Sequence, residues 1–254
     1  MKPASAPHFD RNGRVALVAG GSRGLGRAMA LGFARAGDDV VIASRNGAAC
    51  DEFAAEVTAE TGRRALGVDA HVGRWESLDR LVDTVYLEFG KVDVLVNNAS
   101  MSPLYGSVEN VSEELFDKTN GVNLKGPFRL VAMVGSRMAA GDGGSIINVP
   151  TAGAVYPRPH ILPYAAAKAG LNALTIWFAH TWGPTVRVNA IMAGIFLTDV
   201  SRSWDAEAFA RRAEGFALGR GGEAEEIEGD ASSWLPRTPS YTTGSIITVD
   251  GGQP

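Results

Sequence analysis

The chain reads Val15-Ala16-Leu17-Val18-Ala19-Gly20-Gly21-Ser22-Arg23-Gly24-Leu25-Gly26 near its N-terminus. The apolar run predicts a buried strand, the glycine cluster a tight turn, and residues 25–36 a helix with an apolar face. Gly20 permits the sharp turn, Gly24 lets the backbone approach a phosphate group, and Gly26 lets helix and strand pack closely. The helix N-terminus offers N–H groups to phosphate. The G-x-x-x-G-x-G spacing therefore predicts a dinucleotide site; the alternative is a flexible glycine loop without a ligand.

Strands and helices alternate along the rest of the chain. Short apolar runs predict further strands at residues 39–43, 65–68, 92–96, 145–149, 186–190 and 245–249. Longer periodic segments predict helices at residues 48–61, 76–89, about 122–139, about 164–182 and 224–235. Apolar strands separated by helices imply a parallel sheet that is covered on both faces. The fold class is therefore α/β: one Rossmann-like, doubly wound domain whose parallel sheet has about seven strands.

The composition is that of a globular enzyme. A chain of 254 residues with 45% hydrophobic content can bury a large α/β core, and residues 13–254 contain no linker or repeat that would divide it. Residues 1–12 are too polar for a signal peptide, and we expect them to form a flexible leader. The net charge of −4 disfavours nucleic acid and anionic membranes as partners. The single cysteine, Cys50, excludes an intrachain disulfide, and no Cys/His spacing indicates a metal site. We expect a cytoplasmic protein.

Tyr164 and Lys168 are spaced four residues apart in a predicted helix, so they share one face. A free phenol has a pKa near ~10, and a neighbouring positive charge favours the phenolate and moves this pKa toward neutral pH. Such a pair suits proton transfer to or from a carbonyl or hydroxyl oxygen. The same spacing also occurs in ordinary surface pairs. Other motifs of the chain are therefore needed to distinguish a catalytic pair from a surface pair.

Together, these motifs resemble those of the short-chain dehydrogenase/reductase family over nearly the whole chain. Five motifs occur in the family's order and at approximately its spacing. They are Gly20 with Gly24 and Gly26, Asn97-Asn98-Ala99, Asn123, Tyr164 with Lys168, and Val188-Asn189-Ala190. The resemblance implies hydride transfer between a nicotinamide cofactor and a carbonyl or secondary alcohol. Tyr164 would handle the proton, and Lys168 would lower the Tyr164 pKa and hold the nicotinamide ribose. Asn123 would position a relay water, or alternatively act as a helix-kink or cap residue.

The chain departs from the family pattern at several positions. The family's catalytic Ser lies thirteen residues before the Tyr, and here that position holds Thr151, preceded by Pro150. We expect Thr151 to orient the substrate oxygen through its hydroxyl, although its methyl group could make it only a packing residue. Ser100 stands where the family usually has Gly, and Ala193 stands where Pro is common. The predicted catalytic set is Tyr164, Lys168, Thr151 and Asn123.

The end of the second predicted strand indicates the choice of cofactor. An acidic residue there would bind the adenosine ribose hydroxyls, but this chain has Ser44-Arg45, with Arg23 in the glycine loop. Two guanidinium groups suit a 2′-phosphate, so we expect NADP(H), with NAD(H) possible. From the resemblance, Asp69 would accept from the adenine amino group and Thr198 would contact the carboxamide. The predicted cofactor set is Gly20, Ser22, Arg23, Gly24, Leu25, Gly26, Ser44, Arg45, Asp69, Asn97, Ala99, Tyr164, Lys168, Gly194 and Thr198.

The sequence allows more than one interpretation of the substrate, the assembly and the activity itself. The predicted pocket borders are residues 154–162 (including His160), residues 195–216 and the aromatic side chains Tyr105, Phe196, Trp204, Phe209 and Phe216. They favour an apolar or 3-oxoacyl-type ketone, unless they only pack a lid on the core. A cofactor-binding sensor or scaffold without turnover is the alternative function. Surplus apolar residues on the helix from Leu171 to Trp182, together with the resemblance, predict a homotetramer.

Overall fold

The computed structural model describes residues 13–199, 201, 205–233 and 241–254. The strands are β1 Val15–Ala19, β2 Asp39–Ser44, β3 Ala65–Asp69, β4 Val94–Asn97, β5 Gly144–Asn148, β6 Val186–Ala193, β7 Phe196–Leu197, β8 Gly222–Glu223 and β9 Ile246–Val249. Seven of them form one parallel sheet in the order β3-β2-β1-β4-β5-β6-β9, and β7 pairs with β8 in a second, two-stranded sheet. The order reverses between β1 and β4, which is where α/β sheets of this kind open a crevice at the carboxyl ends of their strands.

Helices cover both faces of the sheet, as predicted. The α-helices are α1 Gly24–Arg35, α2 Gly47–Thr61, α3 Trp75–Phe89, α4 Glu113–Asn120, α5 Gly126–Ala140, α6 Leu162–Trp182, α7 Ala206–Ala213 and α8 Ile227–Ser233. Neighbouring residues of β1 enter different cores, because a strand alternates its faces: Val18 packs with α1, α2 and α8, whereas Leu17 packs with α3, α5 and α6. The predicted doubly wound α/β class is confirmed.

Two helices were missed because they carry little apolar surface. Of the residues of α4 only Thr119 is buried, and of those of α7 only Ala213 is. Both are instead capped by a side chain: Ser112 Oγ accepts from Leu115 N at 3.2 Å, and Asp205 Oδ1 accepts from Ala208 N at 3.0 Å.

Other boundaries also differ from prediction. The helix expected at residues 122–139 begins as a π-helix, Gly121–Lys125, before it continues as α5. The segment expected at 224–235 divides into a 3₁₀ turn, Ala224–Glu226, and α8. Residues 234 and 235, the predicted leader 1–12 and Trp204 lie outside the described residues. Among the described helices, none has the length and apolar character needed to span a membrane.

Candidate active site

A cleft of about 490 Å³ lies at the carboxyl ends of the strands. It gathers most of the residues that the sequence singled out. Those that line it are Gly20, Ser22, Arg23, Gly24, Leu25, Ser44, Arg45, Ala99, Thr151, Tyr164, Gly194 and Thr198. The predicted cofactor loop and the predicted proton-transferring phenol therefore share one space.

The glycine loop packs too closely for side chains. Gly20 has φ +82°, and a Cβ there would lie 2.5 Å from the Ala99 nitrogen. A Cβ on Gly26 would lie 2.0 Å from the Gly20 carbonyl oxygen, which also accepts from Asn98 Nδ2 at 2.9 Å. Helix α1 starts at Gly24 without a side-chain cap at Arg23 and without an acidic residue in its first turn. Its first-turn N–H groups therefore suit an external anion, and the loop fits a dinucleotide phosphate.

Basic groups surround the end of β2. Ser22 Oγ donates to Ser44 Oγ at 2.9 Å, which ties the glycine loop to β2, and Arg45 is exposed at the cleft. The pKa of His71 is lowered by burial and, to a lesser extent, by the charges of Arg74 and Arg45. The three basic side chains therefore lie near one another. The contribution of Arg74 was not predicted, because it comes from the start of α3 rather than from a motif.

Arg23 is placed differently from Arg45. Its Nη1 lies 3.0 Å from Asp199 Oδ2, in a pair between the glycine loop and the segment that follows β7. The arginine lines the cleft, as predicted, but an acidic side chain already balances its charge.

Tyr164 and Thr151 meet at the far end of the cleft. Thr151 lies in the short segment between β5 and the 3₁₀ turn Ala152–Ala154. It pairs with Ala193 in an isolated parallel bridge, which fixes its backbone beside β6. Its Oγ1 accepts weakly from Gly153 N at 3.4 Å. Burial raises the pKa of Tyr164 above its usual value, and a hydrogen bond from Thr151 partly opposes that rise. The Thr151 side chain therefore lies close enough to influence the phenol, and its role in orienting the substrate oxygen stays a prediction.

Lys168 lies beneath the cleft instead of lining it. It is 1% exposed, its Nζ donates to the Val149 carbonyl oxygen at 2.8 Å, and it sits 5.9 Å from the centre of the Tyr164 ring. Burial lowers the pKa of Lys168 to about 7. The expectation that a positive charge on Lys168 moves the Tyr164 pKa toward neutral pH is therefore wrong for this structure. Burial makes the Lys168 charge partial near neutral pH, and burial of the phenol raises the Tyr164 pKa.

Four other predicted residues lie outside the cleft lining: Gly26, which packs behind the glycine loop, and Asn123, Asn97 and Asp69. Asn123 belongs to the π-helix, and its Nδ2 donates to the Met101 and Thr119 carbonyl oxygens at 2.7 and 2.8 Å. Asn97 is 2% exposed and donates to Asn148 Oδ1 at 2.9 Å, within the core between β4 and β5. Asp69 is exposed at the end of β3. The helix-kink alternative for Asn123 agrees with its position, and its relay role stays a prediction, as do the roles of Asn97 and Asp69.

The departures from the family pattern are distributed around the same space. Ser100 is exposed and lines the cleft, whereas Pro150 and Ala193 are buried behind it. The cleft also has lining residues that were not assigned as a site: Asn98, Met101, Arg158, Asp199, Arg212 and Gln253. Arg158 and Arg212 fall within segments predicted to border the pocket, but nothing in a single sequence shows that two distant arginines meet.

Most of the predicted lid aromatics pack into the structure. Phe196 and Phe216 are 8% and 5% exposed, and of the described members of the aromatic set only Phe196 lines the cleft. Phe209 packs near Gly221. Tyr105 donates to the Pro159 carbonyl oxygen and accepts from Leu162 N at 2.8 Å, which fastens the segment preceding α6. The packing alternative therefore describes these aromatics better.

Comparison with known proteins identifies the family of the chain. The sequence model of the family described as "short chain dehydrogenase" matches residues 14–208. Dehydrogenase/reductase SDR family member 4 from Homo sapiens is 36% identical over 244 residues, covering 95% of this chain and 87% of that protein. The structure of NADPH-dependent 3-quinuclidinone reductase from Rhodotorula rubra is similar with a TM-score of 0.90 at 26% identity, over 100% of this chain and 98% of that one. L-Sorbose reductase from Gluconobacter frateurii, solved with NADPH and L-sorbose, has a TM-score of 0.88 at 27% identity, over 95% and 97% of the two chains.

The chain belongs to the short-chain dehydrogenase family. It is therefore a member of a family of oxidoreductases that act on alcohol and carbonyl groups.

Proposed function

We propose that the protein is an NADP(H)-dependent oxidoreductase that interconverts a ketone and a secondary alcohol. The observation that carries the proposal is one cleft with two ends. Gly20, Gly24 and Arg45 line its nucleotide end, and Tyr164 with Thr151 lines the other. The cofactor, when bound, supplies or accepts the hydride.

The chain's own residues account for the proton and for the orientation of the substrate. Tyr164 would donate its proton to the oxygen of a ketone, or accept one from an alcohol, and Thr151 would hydrogen-bond the same oxygen. Lys168, fixed on the Val149 carbonyl oxygen below Tyr164, would hold ribose hydroxyls and return protons, because a pKa of about 7 lets its amine exchange them near neutral pH.

The preference for NADP(H) rests on charge at the end of β2. Arg45 and Arg74 are both exposed, and both lower the pKa of His71, so two positive charges lie near one point, where Asp69 at the end of β3 contributes one opposing negative charge. No carboxylate ends β2, where Ser44 stands. The similar quinuclidinone reductase is described as NADPH-dependent, and the similar sorbose reductase was solved in complex with NADPH. Both support the choice of NADP(H).

Substitution of Arg45 tests the cofactor assignment. The unmutated protein should bind NADPH more tightly than NADH in a fluorescence titration. Arg45→Asp should narrow or reverse that preference, because it removes a charge-assisted contact worth about 1.5–3 kcal/mol and adds a repulsion. Equal affinities of the unmutated protein for both nucleotides would contradict the assignment.

Substitution of Tyr164 tests the chemistry. Tyr164→Phe should lower kcat about 10²–10⁴-fold with NADPH affinity nearly unchanged, because it removes only the proton-transferring oxygen. The measurement is NADPH oxidation over a panel of ketones, with Tyr241→Phe, a fully exposed tyrosine outside the cleft lining, as the matched control. Activity of Tyr164→Phe within about twofold of the unmutated protein would refute the role.

The same measurements address the remaining alternatives. A cofactor-binding sensor or scaffold would bind NADPH and turn over no ketone.

The substrate class, an apolar or 3-oxoacyl-type ketone, stays a prediction. The aromatic lining that favoured it is smaller than expected, since Phe216 packs into the core and Trp204 lies outside the described residues. We further infer a cytoplasmic homotetramer, on the grounds of composition and of the exposed helix surface discussed below.

A further inference from the structure

We propose that the cleft selects an anionic substrate, a small ketone or alcohol with a carboxylate or phosphate group, which Arg158 and Arg212 bind. The inference rests on the proposed function, because it names the substrate class of the same site.

The two arginines reach the cleft from separate elements. Arg158 lies between the 3₁₀ turns Ala152–Ala154 and Pro159–Ile161, six residues before Tyr164, and Arg212 is in the last turn of α7. Both line the cleft together with Tyr164. The nucleotide end is defined by other residues, the glycine loop and Arg45, so this pair is available to the substrate.

The pair has no compensating charge among the residues that the structure describes. Arg211, next along α7, lies 3.6 Å from Glu207, and Arg23 lies 3.0 Å from Asp199. No such ion pair joins Arg158 or Arg212 to a described carboxylate. The pKa of Arg212 is lowered, first by burial and then by the charge of Arg158, with no acidic side chain acting against either. Two like charges that face one space favour the binding of an anion between them.

The local charge is opposite to that of the whole chain. Four arginines line the cleft, at positions 23, 45, 158 and 212, and Asp199 is the acidic side chain among the described lining residues. The chain carries a net charge of −4. Asp199 balances Arg23, and Arg45 suits the cofactor phosphate, which leaves Arg158 and Arg212 as the two cleft arginines without an assigned anion.

Both arginines are exposed at the cleft, and Arg212 also lies near an aromatic ring. Its guanidinium is 5.9 Å from the centre of the Phe216 ring, and Phe216 is 5% exposed. Arginine presents paired N–H donors that match the two oxygens of a carboxylate or a phosphate.

Matched pairs of substrates test the inference. The panel contains short 2-oxo and 3-oxo acids with their methyl esters, and dihydroxyacetone phosphate with dihydroxyacetone. NADPH oxidation should favour the anionic member of at least one pair by about tenfold or more in kcat/KM. Arg158→Gln and Arg212→Gln should each raise KM for that anion by about 10- to 100-fold, as expected for a charge-assisted hydrogen bond, and change the neutral member by no more than about threefold. The acid and phosphate arms distinguish the two anions.

Arg211→Gln is the matched control, because Arg211 lies on the same helix and outside the cleft lining. It should leave both members of each pair unchanged. Turnover of neutral substrates equal to that of anions, or equal losses on both in the Arg158 and Arg212 variants, overturns the anion inference and leaves the oxidoreductase proposal standing. Calorimetric titration of the same compounds reads binding without turnover. Binding of an anion that both variants abolish, with no turnover of any compound, would uphold the anion site and refute the proposed function.

Discussion

Thr151 stands where the family has serine, and its role depends on single atoms. Its hydroxyl acts to lower the pKa of Tyr164 against the effect of burial, whereas its methyl group is the feature that serine lacks. A hydroxyl that orients the substrate oxygen and a side chain that only packs make different demands on the residue at this position. The first needs oxygen, and the second needs volume.

Three variants separate the two roles of Thr151. Thr151→Ser should stay active, because it retains the hydroxyl, and Thr151→Ala should lose about 10²-fold or more in kcat, as comparable oxygen-stabilising donors do. Thr151→Val keeps the branched shape without the oxygen, so it should lose as much as Thr151→Ala. Steady-state kinetics at saturating NADPH measures all three. If Thr151→Val retained activity and Thr151→Ser lost it, Thr151 would be a packing residue.

Residue-level prediction from sequence succeeded where a motif fixes the backbone. The three glycines, Thr151 and Tyr164 lie as expected, because their spacing follows from a turn and a helix. Prediction from sequence failed for the burial and the charged neighbours of side chains, because these depend on segments that are distant in the chain. The reduced charge of Lys168 results from complete burial, and the presence of Arg158 and Arg212 in one cleft results from how α7 packs.

At the scale of elements, the strand–turn–helix unit of β1 and α1 depends on the close approach of Gly26 in the helix to the glycine loop and to Asn98. A Cβ on Gly26 would lie 2.0 Å from the Gly20 carbonyl oxygen and 2.5 Å from Asn98 Nδ2. Both atoms belong to the lining of the nucleotide end or its support. The helix cannot move away without displacing the loop that is expected to hold the phosphates.

Gly26→Ala should therefore destabilise the protein by about 1–3 kcal/mol and weaken NADPH binding, because overpacking here shifts backbone. Gly229→Ala is the matched control: it lies in α8, and a Cβ there meets nothing within 4 Å. It should be neutral or add up to ~1 kcal/mol of stability, as alanine does over glycine in a helix. Urea unfolding and NADPH fluorescence titration measure the two effects. Equal stability and affinity of the two variants would contradict the packing argument.

Element prediction from sequence followed the apolar pattern. Inner strands of the large sheet such as β1 and β4 were found because both of their faces are buried, which gives nearly continuous apolar runs. The edge strands β3 and β9 are only partly buried, and they were found from their short apolar runs. Helices α4 and α7 were missed because polar residues form most of their surface and a side-chain cap starts each one. The π-helix before α5 was missed as well, since its five residues continue the periodicity of the helices on either side.

At the scale of the molecule, three packed helices leave apolar side chains facing outward. Helices α4 and α5 both pack against α6. Phe116 on α4, Phe128 on α5 and Trp177 on α6 are 47%, 41% and 71% exposed. Phe178 and Trp182, by contrast, stack at 4.8 Å and pack against the core, so only part of the predicted surplus on α6 is outward. At the other end of the sheet, β9 is an edge strand with Ile247 38% exposed.

These surfaces lead us to expect a homotetramer, because proteins usually cover exposed apolar helix faces and the outer side of an edge strand such as β9, which pairs only with β6 among the described strands. Light scattering at micromolar concentration should give a mass near that of four chains of 26.7 kDa. Trp177→Glu should lower that mass, since it puts a charge into the proposed helix interface. Leu87→Glu on α3, where the leucine is 85% exposed, is the control and should leave the mass unchanged. A mass of one chain for the unmutated protein would rule out the assembly, and a full tetramer with Trp177→Glu would place the interface elsewhere.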